Sequence, residues 1–153
     1  MSQLDPLKSF TELTIGKRVD RDKAVVNGSA AANVLFNIKG GRVAIHLLVG
    51  EITTAASGAT NLRLQSNPDV GTTAVVSNVL ALGGLEIGTL LVPTGAVGDA
   101  IYGVSAGAAQ GPLRDLVLPA GGIEATSSGA ETVTIKWSVF YVPVDDGAYV
   151  EAA

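Results

Sequence analysis

One histidine and no cysteine stand among the 153 residues, and those two counts decide most of the chemistry the side chains can support. Without cysteine there is no disulfide, no thiolate metal site and no sulfur nucleophile. His46 is the only imidazole that a Ser–His–Asp relay could use, and no G-x-S-x-G elbow supplies the serine. Flanked by Ile45 and Leu47, it reads instead as a core or interface histidine. Zinc and the other transition metals lack the imidazole and thiolate ligands they need. For a hard cation the candidate is Asp145-Asp146-Gly147 with Glu151. Those residues lack the alternating acidic ladder that wraps a loop around calcium, so a solvated turn is the better reading. Glycoside hydrolysis needs two carboxylates at a set separation. Glu51, Glu86, Glu124 and Glu131 are available, and nothing in their spacing singles out any two. The glycines form neither G-x-G-x-x-G nor G-x-x-x-x-G-K-[ST], so phosphate-cradling loops are absent. No catalytic, cofactor-binding or metal-ligating residue is expected, and the chain reads as non-enzymatic.

The elements that would position any site are strands. Short apolar runs divided by Gly, Pro and Asn recur along the chain and sustained helical periodicity is missing, which is the rhythm of a β-sandwich or barrel. The composition is 47% hydrophobic and 16% charged: too apolar for disorder and below the usual quarter or so of charged residues. Part of the surface is therefore expected to be covered by copies of the chain or by a partner. The net charge of -4 hides an asymmetry, with seven basic and four acidic residues up to Arg42 and three basic against ten acidic beyond it. Such a distribution fits solvated turns and equally a basic N-terminal arm docking on the acidic surface of a neighbouring subunit. Because the bases are interleaved with acids and the whole domain is acidic, nucleic acid is not an expected partner. Met1-Ser-Gln-Leu-Asp-Pro lacks a charged and then apolar leader, so synthesis in the cytoplasm is expected. Ala74 to Gly98 carries a single charge, Glu86, over a length that could span a bilayer. Gly83-Gly84, Gly88 and Pro93 break it, and it reads as two buried strands, Thr72 to Leu82 and Leu85 to Val92, with no membrane partner.

Along the chain, residues 1–12 read as an N-terminal arm, 13–144 as the β-sandwich domain and 145–153 as a C-terminal tail. Asn27-Gly28 favours a tight turn and predicts that Asn33 to Ile38 returns antiparallel to the strands of Thr14 to Val26. Arg42 to Thr53 is apolar on both parities, which predicts a central or covered strand. Thr60 to Gln65 alternates, Leu62 and Leu64 against Asn61, Arg63 and Gln65. Short strands are expected around Ile101 to Val104, Leu113 to Leu118 and Ile123 to Thr126. The clearest is Thr132 to Val142: Val133, Ile135, Trp137, Val139 and Tyr141 share one parity, with Thr132, Thr134, Lys136 and Ser138 on the other. Phe140 and Val142 make that second parity apolar toward the strand's end, where an interface is expected. The fold class is thus all-β, an antiparallel β-sandwich or jelly-roll-like barrel with a short N-terminal arm.

Four stretches carry a resemblance: Ile15-Gly-Lys-Arg-Val-Asp; Ile38-Lys-Gly-Gly-Arg-Val-Ala-Ile-His-Leu-Leu-Val-Gly-Glu-Ile-Thr-Thr; Leu113-Arg-Asp-Leu-Val-Leu-Pro-Ala-Gly-Gly; and Ile135-Lys-Trp-Ser-Val-Phe-Tyr-Val-Pro-Val-Asp-Asp-Gly-Ala-Tyr-Val. From about Ile15 to the C-terminus the chain resembles virion structural proteins of tailed bacteriophages, nearest to the capsid decoration, or cement, proteins. The resemblance implies a jelly-roll or related β fold, a homo-oligomer such as a trimer, major capsid protein as partner, and residence in the virion after synthesis in the host cytoplasm. It transfers no catalytic residue or cofactor. Lys17, Arg18, Arg21, Phe140 and Val142 are the expected interface residues, and loss of Met1 to Phe10 is expected to weaken attachment without unfolding the domain. The alternative is a tail- or head-associated module that binds a receptor glycan; Tyr102, Tyr149, Phe10 and Phe140 are the aromatics free to serve it.

Overall fold

The computed structural model describes residues 16–26, 32–56, 58–94, 96–99, 101–104, 115–129 and 132–153. The arm at 1–12 and the Asn27-Gly28 turn lie outside them. Within them the chain forms twelve strands: β1 (Lys17–Val26), β2 (Asn33–Lys39), β3 (Val43–Thr54), β4 (Thr60–Pro68), β5 (Ala74–Val75), β6 (Leu80–Ala81), β7 (Leu90–Pro93), β8 (Ile101–Val104), β9 (Leu116–Leu118), β10 (Gly121–Gly129), β11 (Val133–Pro143) and β12 (Tyr149–Ala152). One sheet runs β1-β11-β3-β7-β8, with β9 also paired to β3; the other runs β12-β2-β10-β4-β5, with β6 also paired to β4. The strand pairs are antiparallel and the two sheets pack face to face as an open sandwich, not a closed barrel.

β11 forms where its alternation says it should. Val133, Ile135, Trp137, Val139 and Tyr141 are all buried, whereas Lys136 is exposed and Thr134, Ser138, Phe140 and Val142 are half-buried. Its neighbour β3 is central, with β11 along one side and β7 and β9 along the other. The apolar residues on both parities of β3 have a local cause. The pairing slips between Phe140↔Leu47 and Tyr141↔Ile45, leaving His46 as an extra residue. This bulge flips the inward parity from Val43 and Ile45 to Leu48, Gly50 and Ile52. A second slip in β2, between the pairs Ile123↔Phe36 and Glu124↔Val34, lets two consecutive residues, Leu35 and Phe36, both lie fully buried. Trp137 fits against β3 because its cross-strand partner is Gly50. A Cβ there would stand 2.9 Å from the indole Cζ3.

Three sequence expectations are corrected. β1 and β2 do not form a hairpin: β1 pairs with β11 and β2 with β10 and β12, in different sheets. A turn signal reports that the chain reverses, not which strand it then joins. The two long strands expected between Thr72 and Val92 are pieces, β5, β6 and the start of β7: the chain is interrupted at Ser77, which bridges to Asp99, and crosses from one sheet to the other through the Gly83-Gly84 and Gly88 segment between β6 and β7. The segment read as a tail supplies β12, the edge strand beside β2; Ala148 and Val150 are apolar and buried, which draws the terminus onto the sandwich.

The connections β2–β3 and β11–β12 cross between the sheets side by side. Arg42 Nε and Nη2 donate to the two oxygens of Asp145, at 2.9 and 2.7 Å, and the Arg42 backbone N–H donates to Oδ2 at 2.7 Å. These contacts hold the Asp145 carboxyl down to a pKa of about 2. Gly40, at φ 76°, passes so close to Gly147 that a Cβ would lie 2.5 Å from its carbonyl oxygen. The fork clamps both corners together.

Candidate docking face

The outer face of the first sheet is built from the second parity of β11 and its neighbours. Register sets Arg18, Phe140 and Leu47 in one cross-strand row and Val142, Ala44 and Val117 in the next. Val117 is 59% exposed, and Val144, just past the end of β11, is 48% exposed. Five apolar side chains from three strands therefore meet on a surface open to water, and polar groups rim them. The Arg18 guanidinium carbon lies 5.7 Å from the centre of the Phe140 ring, a cation–π distance. Arg18 Nε also donates to Asp20 Oδ1 at 2.9 Å, and the Ser138 hydroxyl donates to the same oxygen at 2.6 Å. The Ser138 hydrogen bond, partly opposed by desolvation and reinforced by Arg18, lowers the Asp20 pKa. On the other flank His46 Nδ1 and Asp115 Oδ1 stand 2.9 Å apart. Farther along the face, Val49, Glu51, Leu90, Lys136 and Ser138, with Arg18, line a shallow depression of about 130 Å³.

An apolar centre within a polar rim is the anatomy of a protein–protein contact. Of the five expected interface residues, Arg18, Phe140 and Val142 share this face. Lys17 and Arg21 do not: they lie opposite Tyr141 and Trp137, on the inward parity of β1, with Arg21 half-buried and its Nε lacking a hydrogen-bond partner. An exposed strand end leaves Lys17 in solvent. Ala44, Leu47 and Val117 were not legible as members, because their outward direction depends on the β3 bulge and on β9 pairing with β3. The available signals were that Arg42 to Thr53 and Leu116-Val117-Leu118 each place apolar residues on both parities.

The residues weighed for chemistry are dispersed. His46, read as a core or interface histidine, is half-buried on the bulge of β3 and stands beside the Asp115 carboxylate. Glu51 and Glu124 lie on outer faces of opposite sheets, so the sandwich separates them. Glu124 is 6% exposed, and its two oxygens accept from Gln65 Nε2 at 2.6 Å and Asn67 Nδ2 at 2.9 Å. Glu131 is outside the described residues. Asp145, the head of the calcium candidate, is occupied by Arg42. No group of three or more His, Asp or Glu side chains among the described residues converges as a metal site, and no helix there is long and apolar enough to cross a membrane. Comparison with protein-family models, with characterised proteins and with solved structures returned no match.

Proposed function

We propose that the protein is a non-enzymatic virion structural component, a capsid decoration protein that self-associates and bridges major capsid subunits to stabilise the head. The observation that carries this reading is the patch formed by Phe140, Leu47, Val142, Ala44 and Val117 on a sheet face that water would otherwise wet. Sheet faces left to solvent ordinarily alternate into polar residues, and this one does so along Lys136 and Ser138 before turning apolar. The residue stretches that resemble phage cement proteins include Phe140, Val142, Ala44, Leu47 and Val117, which strengthens the assignment of the patch to shell contact. Mechanism is then geometric. Each stable contact buries roughly 1,000 Å² or more in total, and an oligomer that touches several shell subunits gains avidity without new contacts.

The test uses heads that lack the protein. Purified chain is added, bound copies are counted, and the heads are challenged by heat. Wild type is expected to decorate the shell and raise the temperature of genome release. Val117→Asp places a charge at the most exposed apolar side chain of the patch and is expected to weaken decoration at least tenfold. Undiminished decoration by Val117→Asp, or recovery of the native protein only on tails, would refute the reading.

A further inference from the structure

On the outer face of the other sheet, β4 and β10 set Asn61 opposite Ser128 and Arg63 opposite Thr126. These four side chains and Val79 help line a cleft of about 290 Å³, near the lower end of the roughly 300–1,000 Å³ of small-molecule sites. Arg63 is the anomaly within it. It is half-buried, its Nε is shut off from water without a hydrogen-bond acceptor, and no ion pair among the described residues includes it. A guanidinium N–H removed from water and left unmatched is destabilising, and native structures rarely leave one so. A carboxylate is close by, since Glu124 is one outward position along β10. Its oxygens are taken by the Gln65 and Asn67 amides instead. Arg63 thus lines the cleft without an ion-pair partner among the described residues.

The rest of the lining offers both donors and acceptors. Asn61 Nδ2 donates to Ser128 Oγ at 3.2 Å, which leaves the Asn61 carbonyl oxygen and the Ser128 hydroxyl hydrogen for a ligand. The Thr126 hydroxyl donates to the Arg63 carbonyl at 3.3 Å and keeps its lone pairs. A guanidinium fork matches a carboxylate bidentately, and amide and hydroxyl groups beside it match sugar hydroxyls. We infer that this cleft binds a carboxylate-bearing saccharide, with Arg63 on the carboxylate and Asn61, Thr126 and Ser128 on the hydroxyls. The cleft and the docking patch lie on opposite faces of the sandwich, so a copy seated by its first sheet presents the cleft to solvent. The inference does not depend on that seating, and it stands or falls on the isolated protein.

The full chain is titrated with glucuronate, glucose and acetate while backbone amide shifts are followed by NMR. Glucuronate is expected to bind at least about tenfold more tightly than either control, as a charge-assisted pair added to hydroxyl contacts requires, with shifts confined to β4, β10 and the residues near Val79. Arg63→Gln should reduce glucuronate to the level of glucose, and Arg63→Lys should recover only part of the loss, since a point charge cannot form the fork. Ser128→Ala should weaken glucuronate more than acetate. Folding of each variant is checked by its melt and by Trp137 emission; if Arg63→Gln does not fold, the wild-type discrimination and Ser128→Ala carry the test. Equal affinity for glucuronate and glucose overturns the role of Arg63. Equal affinity for glucuronate and acetate overturns the saccharide. Absence of saturable binding overturns the site.

Discussion

Gly50→Ala sets two opposed effects against each other, and the geometry decides the sign. Gly50 is central in β3, paired with Trp137 on one side and Leu91 on the other. Its φ is not in the left-handed region, so alanine is acceptable to the backbone. Replacing a strand glycine should then stabilise by about 0.5–1 kcal/mol, because the unfolded chain loses freedom. The new methyl carbon, however, would lie 2.9 Å from Trp137 Cζ3, 3.0 Å from Cε3 and 3.0 Å from Ile135 Cγ2, against the ~3.5–4.0 Å of a good carbon contact. All three atoms belong to side chains fully buried in a close-packed interior. Forcing them aside costs about 1–3 kcal/mol. The net expectation is a loss of about 1–2 kcal/mol, which for a domain of this size lowers Tm by roughly 2–8 °C. The sole tryptophan is itself one of the displaced groups, so urea unfolding followed by its fluorescence reads stability and the local packing together. A double-mutant cycle with Trp137→Phe isolates the clash: the pair should be non-additive by 0.5 kcal/mol or more, a coupling on the order found for touching residues. An unchanged or higher Tm for Gly50→Ala, or strict additivity, would refute the packing described for β3 against β11.

Ile135→Ala, at a fully buried position, should lower stability by about 2–5 kcal/mol in urea unfolding; a loss under about 1 kcal/mol would show that β11 turns the other parity inward. Asp145→Asn should flatten the acid limb of the stability profile. With its folded pKa held near 2 by Arg42, Asp145 contributes stability that is fully present above about pH 4 and is lost as pH falls toward 2. The wild type should therefore lose more stability than the variant between those values, and the difference should shrink in high salt because the fork is solvent-exposed. Val117→Asp, on the exposed outer face, should leave the melt within about 0.5 kcal/mol of wild type while weakening decoration at least tenfold; a large drop in stability would mean that Val117 serves the fold rather than the contact.

Period-two alternation was enough to place the inner row of β11 and the Leu62–Leu64 row of β4, because a half-buried strand has only one way to turn its apolar side inward. Glycine and proline positions marked most of the reversals. Absence of cysteine and scarcity of histidine removed whole classes of chemistry without reference to any fold. Partnership was beyond the sequence: β1 finds β11 across most of the chain, and β12 joins β2 rather than trailing, because pairing is set by which edges the assembled sheets leave open. Parity within β3 was equally hidden, since one inserted residue at His46 exchanges inside for outside and no local propensity announces it. The docking patch and the Arg63 cleft both consist of cross-strand neighbours far apart in the chain, so they exist only once register does. Residue types along each strand are a local property, readable in order; which of them share a surface is settled by hydrogen-bond register between distant strands, and that belongs to the tertiary structure alone.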